Sequence, residues 1–515
     1  MNEIDTPGPD NLQSKSSWYL AARPILLSVA LIIPCFWQPI VTGIDLQSHL
    51  YNAWLAELIK NGSIHGLWIG HQSTNIVIDI VLALFMKSFG VSVAERAVTS
   101  ALVLLFFWGA FQFITAVSGR TMYWLAPWLA ILAYGMVFQV GLLNYYLSCA
   151  IVLWLFAFLW KQRLGWLTLC AVPLLTLAYF AHPLPVLWLL GIATYCWVAR
   201  RIRARLQMIL FLGCIAALLL IRSYVVAKYL TMWVDSQLIC WTGADQAWLH
   251  GWHYLPAFIG FLLFGIVLLC EPENRWHALA SILAQAYFLT AVTIMLMPSE
   301  IQSSKESAAA GGITFRLSLL SGVLLLSILS RSTYRRWYLP AGILTAAVFF
   351  SVLYCDIGKE ARVEAKMANL VETLPAGARV VSYADLSDRG PQTNVSRPEG
   401  KLSRLVTPVL SLMSNHMLGT HLLSRACIGH CFDYMNYEPS TGQFRVHAAP
   451  GNSVVLSTYA EFEAMKSGTY QLKASDLPLY ALIRCGPEPE ELFMETLAMG
   501  ESSTKAACPA THSSQ

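Results

Sequence analysis

Asp45, His49 and Asn52 recur at i, i+4 and i+7 in the stretch Gly43–Lys60, so a helix would set them on one stripe. Leu46, Leu50, Trp54 and Leu58 form a second, apolar stripe. A carboxylate beside an imidazole can do proton-transfer work on a hydroxyl group. Asn75 and Asp79 repeat the four-residue spacing, with Asp79 inside the apolar run Ile76–Phe89. An acidic residue in such a run needs a polar partner. Asp45, Asp79 and His49 are therefore the catalytic candidates. Asp45 has a second reading, as the N-cap of the helix that Gly43 opens; the two roles are compatible.

Arg316 opens an apolar run after the Gly/Ala/Ser-rich stretch Ser303–Gly312. A guanidinium there suits a lipid phosphate, because its fork matches two oxygens; Arg222 is the reserve. His182, Asn75, Glu95, Arg96 and Asn144 are the further substrate-binding candidates. Each has a plainer alternative as helix cap, interfacial pair or snorkelling anchor. Trp233, Trp241, Trp248 and Trp252 crowd the segment Ser223–His253, where they could stack on a sugar or form an interfacial belt.

These residues must be held by elements suited to lipid. Of 515 residues, 56% are hydrophobic and only 12% charged, about half the charged share of a soluble domain. The net charge of +4 gives no sign of a nucleic-acid partner. Eleven apolar runs approach span length, at about 24–44, 97–117, 122–140, 142–160, 164–181, 183–199, 207–222, 254–270, 277–297, 313–330 and 338–354. The run 76–89 is too short to cross comfortably. If it does not cross, and the N-terminus is inside, the Arg200–Arg205 cluster faces the cytoplasm, as does Arg331–Arg336. The excess of Lys and Arg on inner loops favours that arrangement. Residues 43–96 then form one outer loop with two surface helices.

The expected organisation is a cytoplasmic tail (1–23), a transmembrane domain (24–355), a small extracytoplasmic α+β domain (356–500) and a disordered tail (501–515). In the outer domain, Val363–Thr373 and Tyr459–Lys466 read as helices. Arg379–Ser382, Phe444–Ala448, Val454–Ser457 and Leu479–Arg484 read as strands. His416, His421, Cys427, His430 and Cys431 crowd together, but their spacing matches no standard metal set. A disulfide among Cys427, Cys431 and Cys485 is favoured instead. The domain reads as a shaper of acceptor access rather than a source of chemistry.

The order is a span, Asp45 early in an outer loop, a first surface helix, a second ending in Phe89-Gly90, and Ala94-Glu95-Arg96 opening the next span. That pattern resembles the GT-C superfamily of integral membrane glycosyltransferases. The resemblance covers roughly residues 20–200, plus the plan of many spans and an outer C-terminal domain. It implies an early catalytic carboxylate, a polyprenyl-phosphate-linked sugar donor and inverting transfer at the outer face of a cytoplasmic (inner) membrane. Many members carry an acidic pair where this chain has Asp45-Leu46, so Asp79 is the candidate second carboxylate. No cofactor is certain, and a divalent cation is left open. The expected partners are the lipid-linked donor, membrane lipids and an unspecified acceptor. Two other classes remain: a transporter or flippase of a lipid-linked or polar substrate, and a non-catalytic protein of the same fold.

Overall fold

The computed structural model describes residues 22–497 apart from 42, 64–66, 71–72, 162–168, 170, 235–236, 250–251, 271–280, 303–308, 333, 383–414, 434–444, 449–478 and 485–491. In chain order the helices are α1 (Ala22–Cys35), α2 (Ile44–Lys60), α3 (Val77–Phe89), α4 (Val91–Ser118), α5 (Ala126–Ala133), α6 (Met136–Gln139), α7 (Leu143–Lys161), α8 (Ala171–Ala181), α9 (Pro183–Ala199), α10 (Ala204–Lys228), α11 (Gln237–Cys240), α12 (Leu255–Cys270), α13 (Ile282–Leu296), α14 (Ile313–Leu329), α15 (Tyr338–Glu372) and α16 (Asn415–Cys427). Five segments, containing α4, α7, α10, α12 and α15, are long and apolar enough to cross a bilayer. Helices α1, α8, α9, α13 and α14 are apolar but shorter. The chain is built as a helical, polytopic membrane protein.

Two expected elements differ. The run 122–140 is not one helix: α5 stops at Ala133, and α6 restarts after Tyr134-Gly135. The cause is a side chain driven into the gap. A Cβ on Gly135 would lie 2.8 Å from Gln246 Cβ, and Gln246 Oε1 accepts from Val137 N at 3.1 Å. Gln246 belongs to the segment Ser223–His253, with tryptophans expected to stack on a sugar or form an interfacial belt. Its Ala244–Leu249 portion instead sinks into the bundle, with Trp248 at 1% exposure. Trp233, Trp241 and Trp252 stay exposed.

The second difference is α15. The expected span 338–354 and the separate helix Val363–Thr373 are one continuous 35-residue helix, about 52 Å long at 1.5 Å per residue. It runs from the apolar bundle into the C-terminal elements. There β5 (Arg379–Ser382), β6 (Phe432–Asp433), β8 (Leu479–Arg484) and β9 (Leu492–Leu497) make a four-stranded sheet in the order β6-β5-β8-β9. Strand β5 is parallel to β6 and β8, and β9 is antiparallel to β8. Strand β7 (Arg445–Ala448) leaves that sheet and pairs with β1 (Leu67–Gly70) of the first loop. Part of Pro298–Gly312 forms β3 (Glu300–Gln302) and β4 (Ala309–Ala310), and β3 pairs antiparallel with β2 (Leu230–Met232). The expected elements at Val454–Ser457 and Tyr459–Lys466, and nearly all of both expected tails, lie outside the described residues.

Helix α2 is clamped from both sides. Leu46 and Leu50 join the main core of the bundle. Tyr51 and Leu55 join a second core with Met367 and Val371 of α15 and Leu422 and Leu423 of α16. The helix therefore does not lie on the surface with its polar stripe in water: Gln47, Ser48, His49 and Asn52 are all buried.

Candidate functional site

The N-terminus of α2 is placed by a glycine. Gly141, between α6 and α7, has φ +84°, and a Cβ on it would lie 2.6 Å from Leu46 N and 2.8 Å from Asp45 N. Only glycine combines that backbone with that approach. Asp45 N donates to Val140 O at 2.8 Å. The helix cap is Gly43, without a side-chain hydrogen bond, so Asp45 stands inside the first turn. There the helix dipole favours its negative charge.

One turn on, His49 Nδ1 lies 2.6 Å from Asp79 Oδ1. Asn144, in the first turn of α7, donates from Nδ2 to Asp79 Oδ2 at 3.3 Å and to Asn75 O at 3.2 Å. Its Oδ1 accepts from Ile78 N at 2.9 Å. Asn75 takes φ +62°, a left-handed turn that brings its carbonyl to Asn144. Asp79 is fully buried. It orients His49 and has no path to a substrate hydroxyl as the structure stands. Asp45 keeps 22% side-chain exposure.

Helix α16 supplies what the sequence reading withheld from the C-terminal region. His421 and Arg425 sit one turn apart. His421 Nδ1 hydrogen-bonds the Ser48 hydroxyl, and its Nε2 stands 4.0 Å from Asp45 Oδ1. Burial, and then the nearby His49, push the His421 imidazole down to about 3, so it is neutral near pH 7. A neutral imidazole bound to a hydroxyl at one nitrogen presents the other as donor or acceptor, according to tautomer. The gap to Asp45 exceeds a direct hydrogen bond.

Arg425 acts as the clamp. Its Nη2 meets Glu95 Oε2 at 2.8 Å, its Nε meets Glu364 Oε1 at 3.5 Å, and its Nη1 meets Gln47 Oε1 at 3.4 Å. Glu95 also accepts from Val41 N at 3.1 Å. Glu95 and Arg96, expected as substrate-binding candidates with an interfacial pair as the alternative, go to separate partners: Glu95 turns inward to Arg425, while Arg96 donates to Gln38 O and Pro39 O at 3.4 and 3.0 Å. Both are positioning contacts. Cys427 and Cys431 form a disulfide at the end of α16; Cys485 and the His416 side chain lie outside the described residues.

On the other flank, His182 caps α9 by accepting from Leu184 N at its Nδ1 (3.2 Å). Its Nε2 lies 3.0 Å from Arg316 Nη1. Tyr145 donates its hydroxyl to Arg316 O at 2.6 Å, and its ring lies edge-on to His182. Asp45 lies within electrostatic range of Arg316. Arg316 Nε is buried without a hydrogen-bond partner among the described residues, a donor left unmet. Arg222 does not join this group. It lies over the Trp233 ring at 5.1 Å on α10, a helix with no buried residue.

Among the described residues no three His, Cys, Asp or Glu side chains are arranged to hold a metal ion. No family model, no curated protein and no solved structure matches the chain.

His421, Arg425, Ser48 and Tyr145 were missed from sequence. The one available signal was the i, i+4 spacing of His421 and Arg425, obscured by the neighbouring Cys and His residues.

Proposed function

We propose that this chain is a membrane glycosyltransferase that moves a sugar from a lipid-phosphate-linked donor to an acceptor hydroxyl, at the outer face of the membrane. The reading rests on one observation above the rest. Of the carboxylates of Asp45, Asp79 and Glu95, Asp45 alone keeps access to solvent, with His421 Nε2 4.0 Å away and Arg316 within electrostatic range. In the reaction, Asp45 takes the acceptor proton as that oxygen attacks the anomeric carbon. The bond from that carbon to the phosphate oxygen breaks, and the lipid phosphate leaves with the electron pair. Arg316 stabilises its charge. The eleven-span topology, the outward C-terminal domain and the inner-membrane location belong to this proposal.

The test is transfer of labelled sugar from polyprenyl-phosphate donors to endogenous acceptor in membranes carrying the full chain. Asp45→Asn should lower turnover by about 100- to 10,000-fold while expression and thermal unfolding stay unchanged. Retained turnover would remove Asp45 as the base. Reporter fusions that place residues 45 and 400 on opposite sides would remove the topology.

A transporter reading is favoured by the α5–α6 break and the sunken Ala244–Leu249 segment, because transporters bind at interrupted helices. It predicts that Asp45→Asn blocks substrate uptake into vesicles with no product formed in either variant.

A further inference from the structure

Helices α7, α9 and α14 run in one direction. Each begins at the site just described, at Asn144, His182 and Arg316. Each ends at a second polar cluster, at Trp160, Arg200 and Arg331. The 17 residues of α9 separate the two by about 25 Å. At the far end a cavity of about 480 Å³ is lined by Arg200, Arg331, Trp160, Gln207 and Ser281, with Ile282 and Leu283.

The cavity's charge is one-sided. The Arg200 guanidinium lies 3.8 Å over the Trp160 ring and donates to Trp160 O at 3.4 Å, so it is held rather than free to swing away. Loss of hydration, and then the like charge of Arg200, push Arg331 below its ordinary value. Among the described residues neither guanidinium has a carboxylate partner. Ser281 caps α13 by accepting from Ala284 N at 3.2 Å, so one positive helix end meets the negative ends of α7, α9 and α14 there, and the net positive charge of the cavity comes from its two guanidiniums. Both arginine side chains are exposed to the cleft or to solvent, and like charges lining one cleft repel each other unless an anion stands between them. Their forks match phosphate oxygens, and basic pockets of this kind between helices hold anionic headgroups.

We propose that this cavity is a phosphate-binding site, separate from the Asp45 site, that takes a phosphate mono- or diester between Arg200 and Arg331. This inference does not depend on the proposed glycosyl transfer. The same chemistry is presented by an anionic lipid headgroup and by a soluble phosphate.

The purified full chain is placed in phosphatidylcholine nanodiscs, with and without phosphatidylglycerol, and separately titrated with inorganic phosphate. Thermal unfolding and native mass spectrometry are followed for wild type, Arg331→Gln, Arg200→Gln and the control Arg201→Gln. Arg201 stacks on Trp197 at 3.9 Å, outside the cavity lining. Wild type should gain stability with an anion, growing with the logarithm of its concentration above the dissociation constant. Retained phosphatidylglycerol adducts identify the lipid as the source; a shift with inorganic phosphate alone identifies a soluble ligand. Arg331→Gln should be at least as stable as wild type in phosphatidylcholine, because a repulsion is removed, and should lose the gain from the anion. Arg201→Gln should keep it. The proposal is overturned if no anion shifts wild type, if all three variants lose the gain equally, or if Arg331→Gln is as destabilised without anion as with it.

Discussion

Helices α2 and α10 are opposites. Helix α2 has 17 residues, and eleven of them are buried, four of these polar. Helix α10 has 25 residues and none buried. Protein covers α2 on two sides, while the apolar residues of α10 are left for lipid to cover. Polar side chains can be fixed at chosen distances only where protein surrounds them on several sides. That is why Asp45, Ser48 and His49 sit in a defined network, while Arg222 of α10 lies over the exposed ring of Trp233.

The largest expected effect breaks the clamp on α2. Arg425→Met leaves Glu95 buried without its cation, and loss of one partner of a buried pair costs about 3–5 kcal/mol. Thermal unfolding in detergent should drop accordingly, and the region after α15 should become sensitive to protease. Replacing Glu95 by Gln in the same chain should recover part of the loss. Should Arg425→Met unfold like wild type, α2 would be a surface helix after all, and its contrast with α10 would collapse.

A smaller effect comes from pH. The folded-state value of His421 lies below its ordinary 6.5, at about 3. Its neutral form is favoured in the folded protein, so its contribution to stability is complete above pH 6.5 and is lost as pH falls toward 3. The slope reaches at most roughly 1.4 kcal/mol per pH unit. His421→Asn should flatten the difference in unfolding stability between pH 7 and pH 4.5. Parallel curves for variant and wild type would show that α16 does not seal His421 against α2.

Legibility in the sequence followed the same divide. Composition and apolar runs exposed the membrane helices, because lipid imposes one rule on every residue of a span. Asp45, His49, Asp79 and Asn144 were legible because a polar residue within or beside an apolar run needs a partner, and here several are partners of one another. The run 122–140 misled, because the break at Gly135 depends on Gln246, more than a hundred residues away. His421 and Arg425 were hidden for a related reason. Helical spacing shows which residues share a face, but nothing local shows that the face packs on α2. Arg222 and Arg316 look alike in sequence; burial and the contact with His182 separate them.

The smallest expected effect probes α10 itself. Gly213 lies mid-helix, and a Cβ added there meets nothing within 4 Å. If lipid alone covers this face, Gly213→Ala should stabilise the chain by about 0.5–1 kcal/mol, the intrinsic cost of glycine inside a helix. Small residues, however, also let membrane helices approach closely. A partner helix packed over Gly213 would turn the same methyl group into a clash. The measurement is thermal unfolding of the variant together with its oligomeric state by native mass spectrometry. A small gain with an unchanged state leaves α10 facing lipid. A loss of stability accompanied by loss of an oligomer would mean that α10, like α2, is covered by protein, supplied in that case by another chain.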